Sequence, residues 1–382
     1  MRTGFVRLVV VGTALLASAL AGCGGTSAPA PQAGTESAQQ DGARNGAEPV
    51  PSGGEGRHAF LDTTCTEGAD GSFQGKLTDL ETIESIFPPG GAAGWEVKPH
   101  GYVLIKGDEA AIYAPTDMEL VQGSFYREPG NPPDDLTYIL HFAVGCDFAM
   151  FIDHISDPVE RIRAVLNTEP REDTRLDSFL AEPVRFKAGE LIARTMGGRG
   201  PGGIGIWDFG YYGASTTNEY VNQERYLRRY AWKQLHAVCG FDYFPEPWKS
   251  SYVALFSTRT GTFVPGVGCR SPNRDVKGSL SGAWFFTQES MSVEPHVAIA
   301  GDIDGTSLTI AGLPSMKYLS ISGTNPTYAD PASVNGRHCY AGDGDASRHF
   351  FFVLVDEMTL DVYEGSGPCP SSPQGTKTTL YR

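Results

Sequence analysis

The chain has 382 residues, 40% of them hydrophobic and 20% charged, which is material for two or three domains with buried cores. Thirty Lys and Arg face 45 Asp and Glu, a net charge of −15, and that balance excludes a nucleic-acid binder and a polybasic membrane-surface protein. Gly (47) and Pro (26) together make about 19% of the chain against roughly 12% in average usage, which points to many turns, a β-rich protein and at least one unstructured tract.

In chain order, Arg2 and Arg7 flank apolar residues 8–20. The run is too short to span a bilayer as a mature helix and has the length of a signal-peptide core. It ends in Leu20-Ala21-Gly22-Cys23, which resembles a bacterial lipobox. The resemblance implies that residues 1–22 are a lipoprotein signal peptide and that Cys23 is acylated, each buried CH₂ of palmitate-type chains contributing about 0.8 kcal/mol of anchoring. Losing Arg2 and Arg7 with no acid moves the net charge from −15 to −17, so anionic lipid repels the remainder and the membrane is met through the lipid alone. The expected place is the cell membrane or outer membrane, facing the periplasm or cell exterior. Residues 23–57 are the lipidated Cys and a tether with Val50 as the one large aliphatic. Such a tract cannot offset its chain entropy and is expected to be a disordered coil reaching about 30 Å.

Six cysteines remain: Cys65, Cys146, Cys239, Cys269, Cys339 and Cys369. An even number in an oxidising compartment predicts three disulfides, with fifteen pairings open. Cys239–Cys269 and Cys339–Cys369 are favoured because each closes a local loop of about 30 residues, which leaves Cys65–Cys146. No CxxC or Cys/His cluster suggests structural zinc.

Residues 58–94 form a lead-in, with a short helix expected at 77–87 before Pro88-Pro89-Gly90-Gly91. Residues 95–215 read mainly as strands: 102–105, 110–113, 118–126, two paired strands in 136–155 broken at Gly145, and 202–212 after a turn within 186–193. A helix is expected to open at Asp157-Pro158, capped by the Asp, and to run to about 167. Residues 216–277 form a helical connector in which Tyr220, Tyr226, Tyr230, Leu235 and Val238 follow a helical stripe over 217–238. Residues 278–382 form a C-terminal β domain of short strands with turns every 8–12 residues: 283–287, 296–300, 307–310, 318–321, 349–355 and 359–362.

At residues 100–213 the order of segments resembles the lysostaphin-type (LytM) zinc endopeptidases, which cut peptide bridges in bacterial cell walls. Ile112-Tyr113-Ala114-Pro115-Thr116-Asp117 is similar to the family's V-Y-A-P-A-D-G strand and turn, and Ile152-Asp153-His154-Ile155-Ser156 to its Y-A-H-L-S. Val184 to Ala193 followed by Gly205-Ile206-Trp207-Asp208-Phe209-Gly210 is similar to its V-K-x-G-x-x-I-G turn and H-L-H-F-E strand. The resemblance implies a mainly β protein with a few helices. It implies a lysostaphin-like β-sandwich or barrel-sandwich domain, and the strand spacing of 278–382 adds the expectation of a small C-terminal β-barrel or sandwich.

The metal chemistry does not carry over. The family supplies a His, an Asp four residues on, and the second His of H-x-H, and a catalytic zinc needs three such ligands plus an open position. His100 is the candidate first ligand, but Leu104 stands four residues on, and Ile206 and Asp208 replace the two His. His154 matches a catalytic His that has no task without zinc. His100, His154 and Asp208 are therefore a vestigial groove, with no catalytic residue, no metal ligand and no cofactor expected, zinc included. Plainer readings stand beside these: His154 at a strand end near Asp153 or Asp157, His141 as a core histidine, Asp208 bonded to turn N–H groups. Asp302-Ile303-Asp304 and Asp343-Gly344-Asp345 read as turns, lacking the closing Glu of a calcium loop. Gly197 to Gly203 reads as a flexible loop beside the groove. Gly282-Ala283-Trp284 is faintly similar to the lipocalin start, but a Trp packed in a small β-core is the favoured reading.

Three functions follow. The first is a non-catalytic envelope lipoprotein that binds cell-wall peptide or an envelope partner. The second is a metal-dependent peptidoglycan endopeptidase using His100, His154 and Asp208. The third is a small-ligand carrier built on a cavity behind Trp284.

Overall fold

The computed structural model describes residues 71–382 except 95, 128–134, 173–177, 200–202, 227–231, 260, 289–295 and 344–346. The expected signal peptide and tether, Cys23, Cys65 and the Gly344-Asp345 turn read from the sequence lie outside the described residues. The protein is mainly β with a few short helices.

The largest sheet runs Ile83–Phe87, Gly101–Ile105, Gly205–Gly213, Phe148–Ile155, Leu136–Val144, Met118–Arg127, Ser178–Phe186, with each neighbouring pair antiparallel. Alternation explains its buried face: Val103, Ile105, Leu140, Phe142, Met150, Ile152, Trp207, Phe209 and Tyr211 form one cluster. Ile112 and Ile192 join that cluster from a second, three-stranded sheet of Ala110–Tyr113, Leu191–Thr195 and Asp157–Pro158, so two sheets share one core. Gly145, at φ 61°, makes the expected break between the paired strands Leu136–Val144 and Phe148–Ile155.

Three helix expectations need correction. Residues 77–87 hold only a 3₁₀ turn, Leu80–Thr82, before the strand Ile83–Phe87. The ladder to Gly101–Ile105 is a better use of β-branched Ile83 and Ile86 than an isolated short helix. The helix after Asp157-Pro158 is a single turn, Glu160–Arg163, with Val159 at its N-cap; Asp157 pairs with Arg163 and its backbone joins the small sheet. In 217–238 the described residues contain a 3₁₀ turn Gln223–Tyr226 and a short helix Trp232–His236. A further helix, Trp248–Val253, follows Pro247.

Residues 282–381 form an eight-stranded antiparallel sheet in the order Met316–Ser322, Ser307–Leu313, His296–Gly301, Gly282–Phe285, Thr376–Tyr381, Thr359–Ser366, Arg348–Asp356, Arg337–Tyr340. It curls almost to closure: the Asp343 N–H donates to Ser320 O, and the Ser322 N–H donates to the Asp343 carboxylate. The inward residues Leu280, Trp284, Val297, Ile299, Leu308, Ile310, Tyr340, Phe350, Phe352, Leu360 and Val362 pack on one another. Trp284 is wholly buried, its Nε1 donates to Leu280 O, and the Arg382 guanidinium lies 4.0 Å over its ring. Trp284 is thus a core residue of a filled barrel.

The barrel's outer face is lined with alanines. Ala283, Ala298, Ala300 and Ala311 meet Ala92 and Val97 of the ribbon Ala92–Ala93/Glu96–Val97, with Tyr226 and Leu235 alongside. The helical stripe read in 217–238 is therefore a contact stripe serving this seam. Disulfides Cys239–Cys269 and Cys339–Cys369 are present, each spanning 30 residues, as expected from loop length. Cys146 is also disulfide-bonded.

Candidate functional site

Cross-strand partners in an antiparallel sheet share a face. Tyr102 opposes Asp208, Asp208 opposes Asp153, and Leu104 opposes Ile206. All therefore lie on the face of the large sheet opposite its main core, and His100, two residues before Tyr102, continues the row. The structure brings the three groove residues together. His100 Nε2 stands 3.0 Å from Asp208 Oδ2, and His154 Nε2 stands 3.9 Å from the same oxygen. Asp208 thus serves two imidazoles, not turn N–H groups.

Asp153 is the residue that motif reading passed over. It is 8% exposed, and its Oδ1 accepts the Tyr126 hydroxyl at 2.6 Å and the His154 N–H at 2.7 Å. One donor atom from each of Asp153, His154 and Asp208 lies within 4.8 Å of the other two. The signal in the sequence was an acid in an otherwise apolar strand, one residue before the His, but its meaning depends on the register with Asp208.

Backbone geometry fixes His154. Its φ is 62°, the left-handed region that costs a non-glycine residue energy and recurs at functional sites. Gly198 abuts its ring: a Cβ there would stand 3.0 Å from Nδ1. The glycine-rich segment therefore begins against the imidazole.

The electrostatics divide the two carboxyls. Burial pushes Asp153 up to about 7, the nearby Asp208 adding to the rise, against the pull of His154 and Tyr126. Burial pushes Asp208 the same way, but His100, His154 and Lys98 outweigh it and hold Asp208 low, at about 2. Burial lowers His100 despite Asp208, so its neutral form is favoured. His100 Nε2 meets Asp208 Oδ2 at 3.0 Å, while His100 Nδ1 and Asp208 Oδ1 have no hydrogen bond among the described residues. At the edge of the row, Lys98 pairs with Glu96; burial opposes ionisation of Glu96, and Lys98 overrides it to hold the acid near 2.

Leu104 and Ile206 occupy the places that the resemblance would give to a zinc ligand and to the first His of H-x-H, and they face one another as hydrocarbon. That family's ligand set does not fit these residues. His141 is 2% exposed and packs on Phe151, in keeping with a core histidine. Asp304 closes a turn by accepting from the Thr306 and Ser307 N–H groups, and Asp302 accepts from the Ser307 hydroxyl. Comparison with known proteins gives no match to a family model, to a curated protein or to a solved structure.

Proposed function

We propose that this chain is an exported, lipid-anchored envelope protein whose large β domain keeps the shape of a lysostaphin-type peptidase and holds a wall peptide, or an envelope partner, without cutting it. The observation that carries this reading is the Leu104–Ile206 cross-strand pair. Aliphatic side chains there can neither bind zinc nor accept a proton from water, so that chemistry has no support on this face. What remains is a row of His100, Tyr102, Asp208, Asp153 and His154, in which His100, Asp153 and Asp208 are buried and the partly exposed Tyr102 and His154 are the groups able to hydrogen-bond a polar backbone. A peptide of amino acids and amino sugars offers matching amides and hydroxyls. Anchoring through acyl chains on Cys23, outside the described residues, would set the domain on a tether of about 30 Å reach. The filled interior around Trp284 gives the carrier reading no support.

Co-sedimentation with purified cell-wall sacculi tests this. The parent chain is expected in the pellet, and Ile206→Asp, which adds a third acid beside Asp208 and Asp153, is expected to weaken retention at least tenfold. Equal retention of the two proteins, or none of either, would overturn the reading.

A further inference from the structure

Where the strand Ile83–Phe87 of the large sheet nears the barrel, a cavity of about 10 Å³ leaves room for one water-sized particle. Phe87, Gly91, Ser257, Arg259, Arg274 and Asp302 are among its lining residues. Three donor atoms of this lining are buried without a hydrogen-bond partner among the described residues: Ser257 Oγ, Arg259 Nε and Arg259 Nη2. Ser257 is 1% exposed, and its own N–H is spent on Ile86 O at 2.9 Å. The Arg259 guanidinium lies 4.9 Å over the Phe87 ring and 4.5 Å over the Tyr102 ring. Ring faces take up part of its charge, but its N–H groups still lack an acceptor. Gly91 makes room for it, since a Cβ there would stand 3.0 Å from Arg259 Nε. Buried donors are ordinarily satisfied, and the one carboxylate of the lining is already in use. Asp302 accepts from the Ser307 hydroxyl at 3.2 Å and from the Arg259 backbone N–H.

The charges point the same way as the donors. Two guanidiniums line the cavity against one carboxylate, an excess of one positive charge. Arg274 is fixed there by donating from Nε to Gly90 O at 2.9 Å and from Nη2 to Gly301 O at 2.7 Å. Burial, then Arg270, pull Arg274 down to about 10 although Asp302 and Asp330 oppose them. Burial pushes Asp302 up despite Arg259, which weakens the only negative charge in the lining. Arg270 and Asp330 are exposed and screened by water, and Asp304 is spent on the Thr306 and Ser307 N–H groups. We infer that Ser257 and Arg259 hold one monatomic monovalent anion of the chloride class, with Arg274 adding charge. Orphan donors ask for a partner that only accepts, whereas a water brings two protons of its own and no charge. The cavity is too small for sulfate, phosphate or a carboxylate. The ion would brace the end of Ile83–Phe87 against the barrel, where Gly301 holds Arg274. This goes beyond the wall-binding reading and does not depend on it.

The test is a series of thermal melts of the full chain in detergent, with sodium chloride replacing sodium gluconate at constant ionic strength. A ligand bound by the folded chain alone raises the melting temperature with its concentration, so the parent should gain stability as chloride replaces gluconate. Ser257→Ala removes one donor to a charged partner and should raise the chloride needed for half the effect about tenfold. Arg259→Gln should abolish the gain, and Arg163→Gln, on the exposed turn Glu160–Arg163, should keep it. Crystals grown in sodium bromide should show one anomalous peak in the cavity. A parent melting temperature that is the same in both salts, an equal gain in Arg259→Gln, or an ordered water in place of bromide overturns the site. Should Arg259→Gln fail to fold, Ser257→Ala and the bromide crystals decide. Sacculus retention in chloride and in gluconate keeps the two ideas apart: the wall reading stands or falls on retention, the anion on the melts.

Discussion

Asp153 and Asp208 oppose each other on hydrogen-bonded strands, and their surroundings pull them apart. For Asp153, held up near 7 by burial, the unfolded carboxyl ionises first, near 3.9. The folded chain then carries the extra proton, so this residue makes stability fall as pH rises from about 4 to 7. For Asp208, held near 2, the sign reverses: its contribution is present above about 4 and is lost as pH falls towards 2. Asp153→Asn, which keeps the acceptor for Tyr126 but cannot ionise, should therefore lose less melting temperature than the parent between pH 5 and pH 8. Identical pH slopes for the two proteins in thermal melts would show that Asp153 is not buried as described. Motif order alone picked out His100, His154 and Asp208, because each sits at a recognisable offset in a strand. Asp153, Tyr126 and the Glu96–Lys98 pair were hidden, because they become neighbours only through strand register, which no local spacing encodes.

Strands were easier to read than helices. Alternating apolar residues and Gly145 located Leu136–Val144 and Phe148–Ile155 closely. The stripe in 217–238 has helical spacing, yet tertiary contact decides its use: Tyr226 and Leu235 bury against alanines of the barrel. The strands Arg337–Tyr340 and Thr376–Tyr381 were missed because Cys339, Arg337 and the Thr-rich run carry little apolar alternation. Their places are set by pairing instead, and by the Cys339–Cys369 link from the first of these strands to the segment before the second. A loop of that span, 30 residues, is worth about 3–4 kcal/mol in the chain-entropy picture. The double variant Cys339→Ser/Cys369→Ser should lose about that much in denaturant unfolding of the barrel, and a loss under ~1 kcal/mol would show the link to be dispensable.

At the scale of the whole described chain, the two β bodies meet through small side chains. Ala298 and Ala311 are fully buried beneath the Ala92–Val97 ribbon, and the Val97 N–H donates to His296 Nε2 at 3.1 Å. Alanine at these points lets backbone approach backbone, so Ala311→Leu should overpack the seam at a cost of about 1–3 kcal/mol and lower the first calorimetric transition. An unchanged thermogram would place the ribbon off the barrel. The seam lies close to the polar row, because Glu96 and Lys98 continue from the ribbon into the strand carrying Tyr102. The polar row and the barrel are thus parts of one body, and in the reading we propose the sheet keeps a peptidase shape with Leu104 and Ile206 paired as hydrocarbon where that chemistry would need polar groups. The most direct test of that claim is mass spectrometry of soluble fragments from sacculi incubated with the purified chain and added zinc. The account predicts that no new peptide ends appear while the chain stays bound to the wall; chelator-sensitive release of cut wall peptides would contradict it.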